Sequence, residues 1–223
     1  EAEEAGVVAL MLRHALETPG QTAALVTPDR QLARRVAAEL ARWDVLIDDS
    51  AGRAVSETPP GEYLRLLARA VAEELAPVAL LALLKHPLAA AGMATASFRR
   101  QVRALEVAVL RGPRPRPGLA GLRALVDPGG ADRGRFASLL AALERCLAPL
   151  LDAVTGRQVP LETIIEAHLG AAEALAATDD EPGAARLWSR EEGEALATAV
   201  AELREASDAM EPIDGADYPA LFE

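Results

Sequence analysis

Nine arginines in this chain stand at spacings that would let them act together on phosphate, and two adjacent aspartates stand where a cation could be held. In "VTPDRQLARR" a short apolar run leads into a helical pattern. A helix start behind a strand offers unbonded N–H groups and the positive end of the helix dipole to an anion. Thr27 and Arg30 would stand at that end, with Arg34 and Arg35 one turn further on. The same residues also read as helix punctuation. Thr27 serves as N-cap with Pro28 at the first helical position, Asp29 complements the dipole, and Arg34 and Arg35 form a solvated face. Spacing leaves both readings open.

The second basic stretch is "FRRQVRALEVAVLRGPRPRPG". Arg99, Arg100 and Arg103 share a helical face, and Arg111, Arg114 and Arg116 follow along a proline-rich connector. Such a stripe suits a nucleic-acid backbone, where each neutralised phosphate adds to the salt dependence of binding. It has only Phe98 as an aromatic, so it is no base-stacking platform. A solvated face, or one docking on acidic protein surface, has the same pattern. In "IDDS" the carboxylates of Asp48 and Asp49, with Ser50, resemble strand-end acids that hold Mg²⁺. Asp and Ser are equally common in turns that satisfy local backbone donors.

Other chemistry is poorly represented. Neither G-x-x-x-x-G-K-[ST] nor G-x-G-x-x-G occurs, and no serine sits in G-x-S-x-G. His14, His86 and His168 are isolated from one another and from the single cysteine, Cys146, so no metal site is expected. Cys146 lies on an apolar helical pattern and reads as a buried thiol.

The elements that must position these residues are mostly helical. Residues 2–17 place Val7, Leu10, Leu12 and Leu16 largely on one face. "TAALVT" and "DVLIDD" read as short strands flanking a helix that carries Val36, Leu40 and Trp43, a small α/β unit with a right-handed crossover. Two strands make a poor sheet, and further strands from elsewhere are expected. From Thr58 onward the pattern predicts helices only, including 133–154, 161–177 and 188–209, with an irregular tail. "GPRPRPG" reads as an extended connector. The fold expected is therefore predominantly α with a small α/β part, divided at about residue 57 into 1–57 and 58–223.

Composition agrees with a globular helical chain: 51% hydrophobic, 26% charged and only 3% aromatic, so cores must be built from Leu, Ala and Val. The net charge of −11 is unevenly spread. Residues 99–135 carry nine arginines against three acids, whereas residues 161–223 carry sixteen acids against three arginines. An anionic partner would meet the middle of the chain and be repelled by its end. There are 22 arginines and one lysine, Lys85, a bias for which a GC-rich genome is the simplest cause. No apolar run approaches the roughly 18 to 20 residues of a membrane span. One cysteine and no signal peptide favour a cytoplasmic setting. The opening "EAEEA", without Met, reads as that of a fragment.

Over "EEAGVVALMLRHALETPGQTAALVTPDRQLARRVAAELARWDVLIDDSAGRAVSETPPGEYLRLLA" and on through "PVALLALLKHPLAAAGM", the chain resembles the AddB family of double-strand break repair helicase–nuclease subunits in its alphaproteobacterial form. The resemblance is most specific over residues 3–92. It implies that the first 50 or so residues begin a second RecA-like motor domain of the superfamily 1 helicase 2A type, with "ALVTPDRQLARR" at helicase motif IV. It implies that residues from about 60 belong to the helical 2B-like insertion. The partner implied is an AddA-type helicase–nuclease subunit, with DNA bound in the intact complex. ATP with Mg²⁺ and an iron–sulfur cluster belong to the parent family and lie outside this segment, which has neither the nucleotide loop nor the cysteines for them. The resemblance thus implies a non-catalytic piece of a DNA-handling scaffold. Two alternatives stand beside it: a helical protein-interaction module, and an enzyme using Asp48 and Asp49 with a metal.

Overall fold

The computed structural model describes residues 2–50, 52–126, 136–207 and 209–222. It is an all-helical structure that resolves into two compact units, Glu1–Gly52 and Arg53–Glu223.

The first unit is a helix pair, α1 (Ala2–Leu16) and α2 (Arg30–Ala41). Ala5 and Ala9 of α1 are buried against Val36 and Leu40 of α2, with Val8, Leu12, Leu25, Leu32 and Val45 packed around them. Small residues at the contact let the two backbones approach closely. The consequence corrects the expected apolar face of α1. Of that set only Leu12 packs inward, while Val7, Leu10 and Leu16 are each more than half exposed.

The two strands expected in this unit are not formed. Among the described residues no β-strand occurs, and the one β-bridge, Val159 to Ile213, lies in the second unit. The apolar stretches 22–27 and 44–49 run without helix, held to the helix pair by Leu25 and Val45, while Val26 and Leu46 are both 94% exposed. A strand exists only through ladder partners for its N–H and C=O groups, and neither stretch supplies the other with any. The α/β, RecA-like part is therefore absent from the described structure.

The second unit is built on one continuous core of leucine and alanine from α3 (Pro59–Ala72), α4 (Pro77–Lys85), α5 (Thr95–Leu105), α6 (Gly118–Val126), α7 (Ala137–Thr155), α8 (Leu161–Ala176), α9 (Gly183–Leu187) and α10 (Arg190–Ser207). The long α7 and α8 pack on each other at its centre. The start of α3 is fixed locally. Thr58 caps α3, its hydroxyl oxygen accepting from the Gly61 N–H while its hydroxyl donates to Val55 O at 2.6 Å, and prolines follow it. Gly61 is obligatory here, because a Cβ would stand 1.9 Å from the Val55 carbonyl oxygen. α4 stops at Lys85, ahead of Pro87. The tail expected to be irregular instead forms a 3₁₀ turn, Gly215–Phe222, whose Tyr218 is fully buried.

Two polar ties lock this unit. His168, fully buried on α8, meets the Leu64 carbonyl oxygen with Nε2 at 3.1 Å and the Tyr218 hydroxyl with Nδ1 at 2.8 Å. A carbonyl only accepts, so Nε2 carries the proton, and the Tyr218 hydroxyl donates to Nδ1 of a neutral imidazole. Burial pulls the His168 pKa down to about 4. Arg186 of α9 donates to the carbonyls of Leu88 (2.9 Å), Pro87 (3.2 Å) and Ala176, closing the C-terminal end of α8 against the loop after α4. Among the described residues no helix is long and apolar enough to cross a membrane.

Candidate anion-binding surface

The helix-start site in the first unit is occupied by the protein's own groups. The residue capping α2 is Asp29, not Thr27: its carboxylate accepts from the N–H groups of Gln31 (2.8 Å) and Leu32 (3.2 Å). Thr27 instead accepts the Asp29 N–H on its hydroxyl oxygen at 3.0 Å, making a turn before the helix. The Arg30 guanidinium forms a fork on Asp49, at 2.9 and 2.7 Å, and also donates to the Gly52 carbonyl at 3.0 Å. Carboxylates thus already sit where a phosphate would have to be, Asp29 on the helix N–H groups and Asp49 on Arg30. Arg35 is half-buried, with its guanidinium 3.5 Å from the Gln31 side-chain oxygen, and Arg34 is exposed. Asp49 is engaged with Arg30, and no group of three or more metal-ligating side chains occurs among the described residues. Asp49 is thus tied down by Arg30, and its carbonyl oxygen accepts the Gly52 N–H at 2.8 Å to open a turn.

The middle of the chain differs. α5 buries Phe98, Val102 and Leu105 and turns Arg99, Arg100 and Arg103 outward, as the sequence pattern predicts. The helix then passes into a π-helical turn, Glu106–Leu110, in which the Arg111 N–H bonds the Glu106 carbonyl at 3.1 Å. This bond spans five residues. In a continued α-helix Arg111 would have rotated about 140° away from Glu106. The wider turn brings the two side chains together, and Arg111 donates to the Glu106 carboxylate from Nη2 at 3.0 Å and from Nε at 3.3 Å. From the end of α4, Lys85 Nζ reaches the other carboxylate oxygen at 2.7 Å.

The outcome is a cavity of about 350 Å³ lined by Lys85, Arg99, Arg103, Arg111 and Glu106, with Leu84 and Val102 as its apolar lining. The Glu106 side chain is only 11% exposed, and hydrogen bonds from Lys85 and then Arg111 hold its pKa below the usual carboxylate value. Four cations therefore surround one carboxylate, leaving a net lining charge of +3. Lys85 and Arg111 are engaged with that carboxylate, whereas Arg99 and Arg103 have no acidic partner among the described residues. The structure gathers Arg99, Arg103 and Arg111 at one place. Arg100 lies exposed on the same helix, and Arg114 and Arg116 are exposed on the non-helical connector. The sequence pattern does not single out Lys85 or Glu106 for this site. The lone lysine of the chain and the lone acid within the arginine stretch were the available signals.

The three histidines have separate structural surroundings. His14 pairs with Glu17 on the surface, His86 stacks on Tyr63 with ring centroids 5.1 Å apart, and His168 is the buried tie described above. Burial lowers the His86 pKa and raises that of the buried Cys146. Comparison of the chain with protein-family models, with curated proteins and with solved structures gives no match.

Proposed function

We propose that this chain is a non-catalytic segment of an AddB-type subunit, serving in the cytoplasm as scaffold and partial DNA-binding surface within a double-strand break repair helicase–nuclease. The observation that carries the DNA-binding part is the convergence of Arg99 and Arg103 with Lys85 and Arg111 on one face of the second unit. A phosphate backbone is the polyanion that such a surface suits, and Arg100, Arg114 and Arg116 would extend the contact along a strand. In this reading the partner is an AddA-type subunit, and ATP-driven movement and cleavage belong to other parts of the complex. The RecA-like assignment of residues 1–57 would require strands from elsewhere to cover Val26 and Leu46.

The test is a titration of single- and double-stranded DNA at several salt concentrations. Arg99→Ala with Arg103→Ala should weaken binding to all sequences alike. Loss of two phosphate contacts should also flatten the log–log salt slope on duplex by about 1.8. An unchanged slope, or no binding by the intact chain at low salt, overturns the DNA-contact reading.

One observation favours the alternative, a protein-interaction module. Val7, Leu10 and Met11 are 52%, 54% and 68% exposed at helical spacing on α1, an apolar stripe suited to a partner helix. Replacing Leu10 and Met11 by Glu should abolish partner binding in that case and leave DNA binding alone.

A further inference from the structure

We propose that the cavity between α4, α5 and the π-helical turn is a site for a terminal phosphate monoester, the phosphorylated end of a DNA strand. This rests on the reading above that the same face meets DNA, and it names which part of the DNA the cavity takes.

The argument starts from charge. A phosphodiester carries one negative charge, whereas a terminal phosphate carries about −1.5 to −2 at neutral pH and presents three strong acceptor oxygens. The cavity lining has a net charge of +3 after Glu106 is counted. Its two cations without an acidic partner among the described residues, Arg99 and Arg103, are four residues apart on α5. Side chains at that spacing stand about 5–6 Å apart at Cβ, close enough for both guanidinium forks to meet one tetrahedral anion. Two arginines on one dianion balance its charge, and Lys85 and Arg111 line the same cavity.

Glu106 has a defined part in this site. It draws Lys85 and Arg111 inward at 2.7 and 3.0 Å, and it is the one anion among the lining side chains. An entering phosphate and the Glu106 carboxylate share these cations. Glu106 therefore sets both their position and the limit on affinity. The π-helical turn is what makes this possible, because it alone brings Arg111 onto the same side as Glu106. Local widening of a helix of this kind recurs at functional sites.

The experiment uses the full chain and one short single-stranded oligonucleotide, prepared with a 5′-phosphate, with a 3′-phosphate or with hydroxyls at both ends. Fluorescence anisotropy competition supplies the affinities, with inorganic phosphate as a separate competitor. The expected result is about tenfold tighter binding of at least one phosphorylated form. That preference should disappear in Arg99→Ala with Arg103→Ala. Glu106→Gln, which keeps the shape and removes the competing charge, should increase the preference. Circular dichroism checks that the variants are folded. Equal affinity for all three oligonucleotides, with loss on Arg99 and Arg103 replacement, would leave backbone binding standing and overturn the end-phosphate site. No binding of any oligonucleotide, alongside competition-independent binding of inorganic phosphate measured by calorimetry, would overturn the DNA reading and the proposal with it. A preference that survives the double replacement would place the terminal phosphate elsewhere and overturn the site.

Discussion

Acidification should loosen the second unit through His168, and the size of the effect follows from its surroundings. The imidazole is fully buried, neutral, and satisfied on both nitrogens by Leu64 and Tyr218. Its pKa is about 4 in the folded chain against an ordinary value of 6.5, with burial as the first cause. The folded state therefore binds fewer protons than the unfolded state between these values, so this contribution is intact above pH 6.5 and is lost as pH falls toward 4. The whole shift corresponds to about 3 kcal/mol, of which about 2 kcal/mol is lost between pH 7.5 and pH 5. Urea unfolding at a series of pH values measures it. His168→Gln, which cannot titrate but retains a donor and an acceptor, provides the reference slope and cancels the smaller contribution of His86. The wild-type chain should lose about 2 kcal/mol more than the variant over that interval. Should the variant be too unstable for a two-state fit, the imidazole proton resonance of His168 serves instead, remaining in its neutral position down to pH 5. Parallel pH profiles for the two proteins, or titration of that resonance near 6.5, would refute the reasoning.

Two further substitutions separate structural arginines from binding ones. Arg186→Ala removes three charge-assisted bonds to carbonyls at the end of α8 and in the loop after α4. It should cost about 2–4 kcal/mol in urea unfolding without changing DNA affinity beyond what stability explains. A loss under 1 kcal/mol would mean that this loop is held by other contacts. Arg30→Ala breaks the fork on Asp49, an ion pair about 40% exposed on both sides, and should change stability by no more than about 1 kcal/mol. DNA affinity should stay within twofold. A drop matching that of the Arg99 and Arg103 variant would restore the helix start of α2 as a phosphate site.

What could be read from the sequence divides along a physical line. The helical pattern from Thr58 onward and the shared face of Arg99, Arg100 and Arg103 on α5 are legible in the sequence, because both are decided within a few residues. The sequence pattern puts the cap of α2 at Thr27, two residues before Asp29. Thr and Asp both cap well, and only the backbone at Asp29 decides between them. The strands at 22–27 and 44–49 failed because β-propensity describes fitness for a sheet, and the described chain supplies no sheet for them to join. The π-helical turn has no signal in the sequence, since the apolar run 107–110 that follows Glu106 reads the same at four- or five-residue closure.

The candidate site shows the limit most directly. Arg30 and Arg99 look alike in the sequence: each is an arginine near the start of an amphipathic helix with further arginines one turn away. What distinguishes them is a carboxylate from another segment. Asp49, nineteen residues from Arg30, closes the first site, whereas Glu106 in the second is already shared by Lys85 and Arg111 and leaves Arg99 and Arg103 facing the cavity. Whether a cation can meet a ligand depends on the acids that the fold delivers to it. Local pattern finds the cations, and only tertiary structure shows which of them already have an anion.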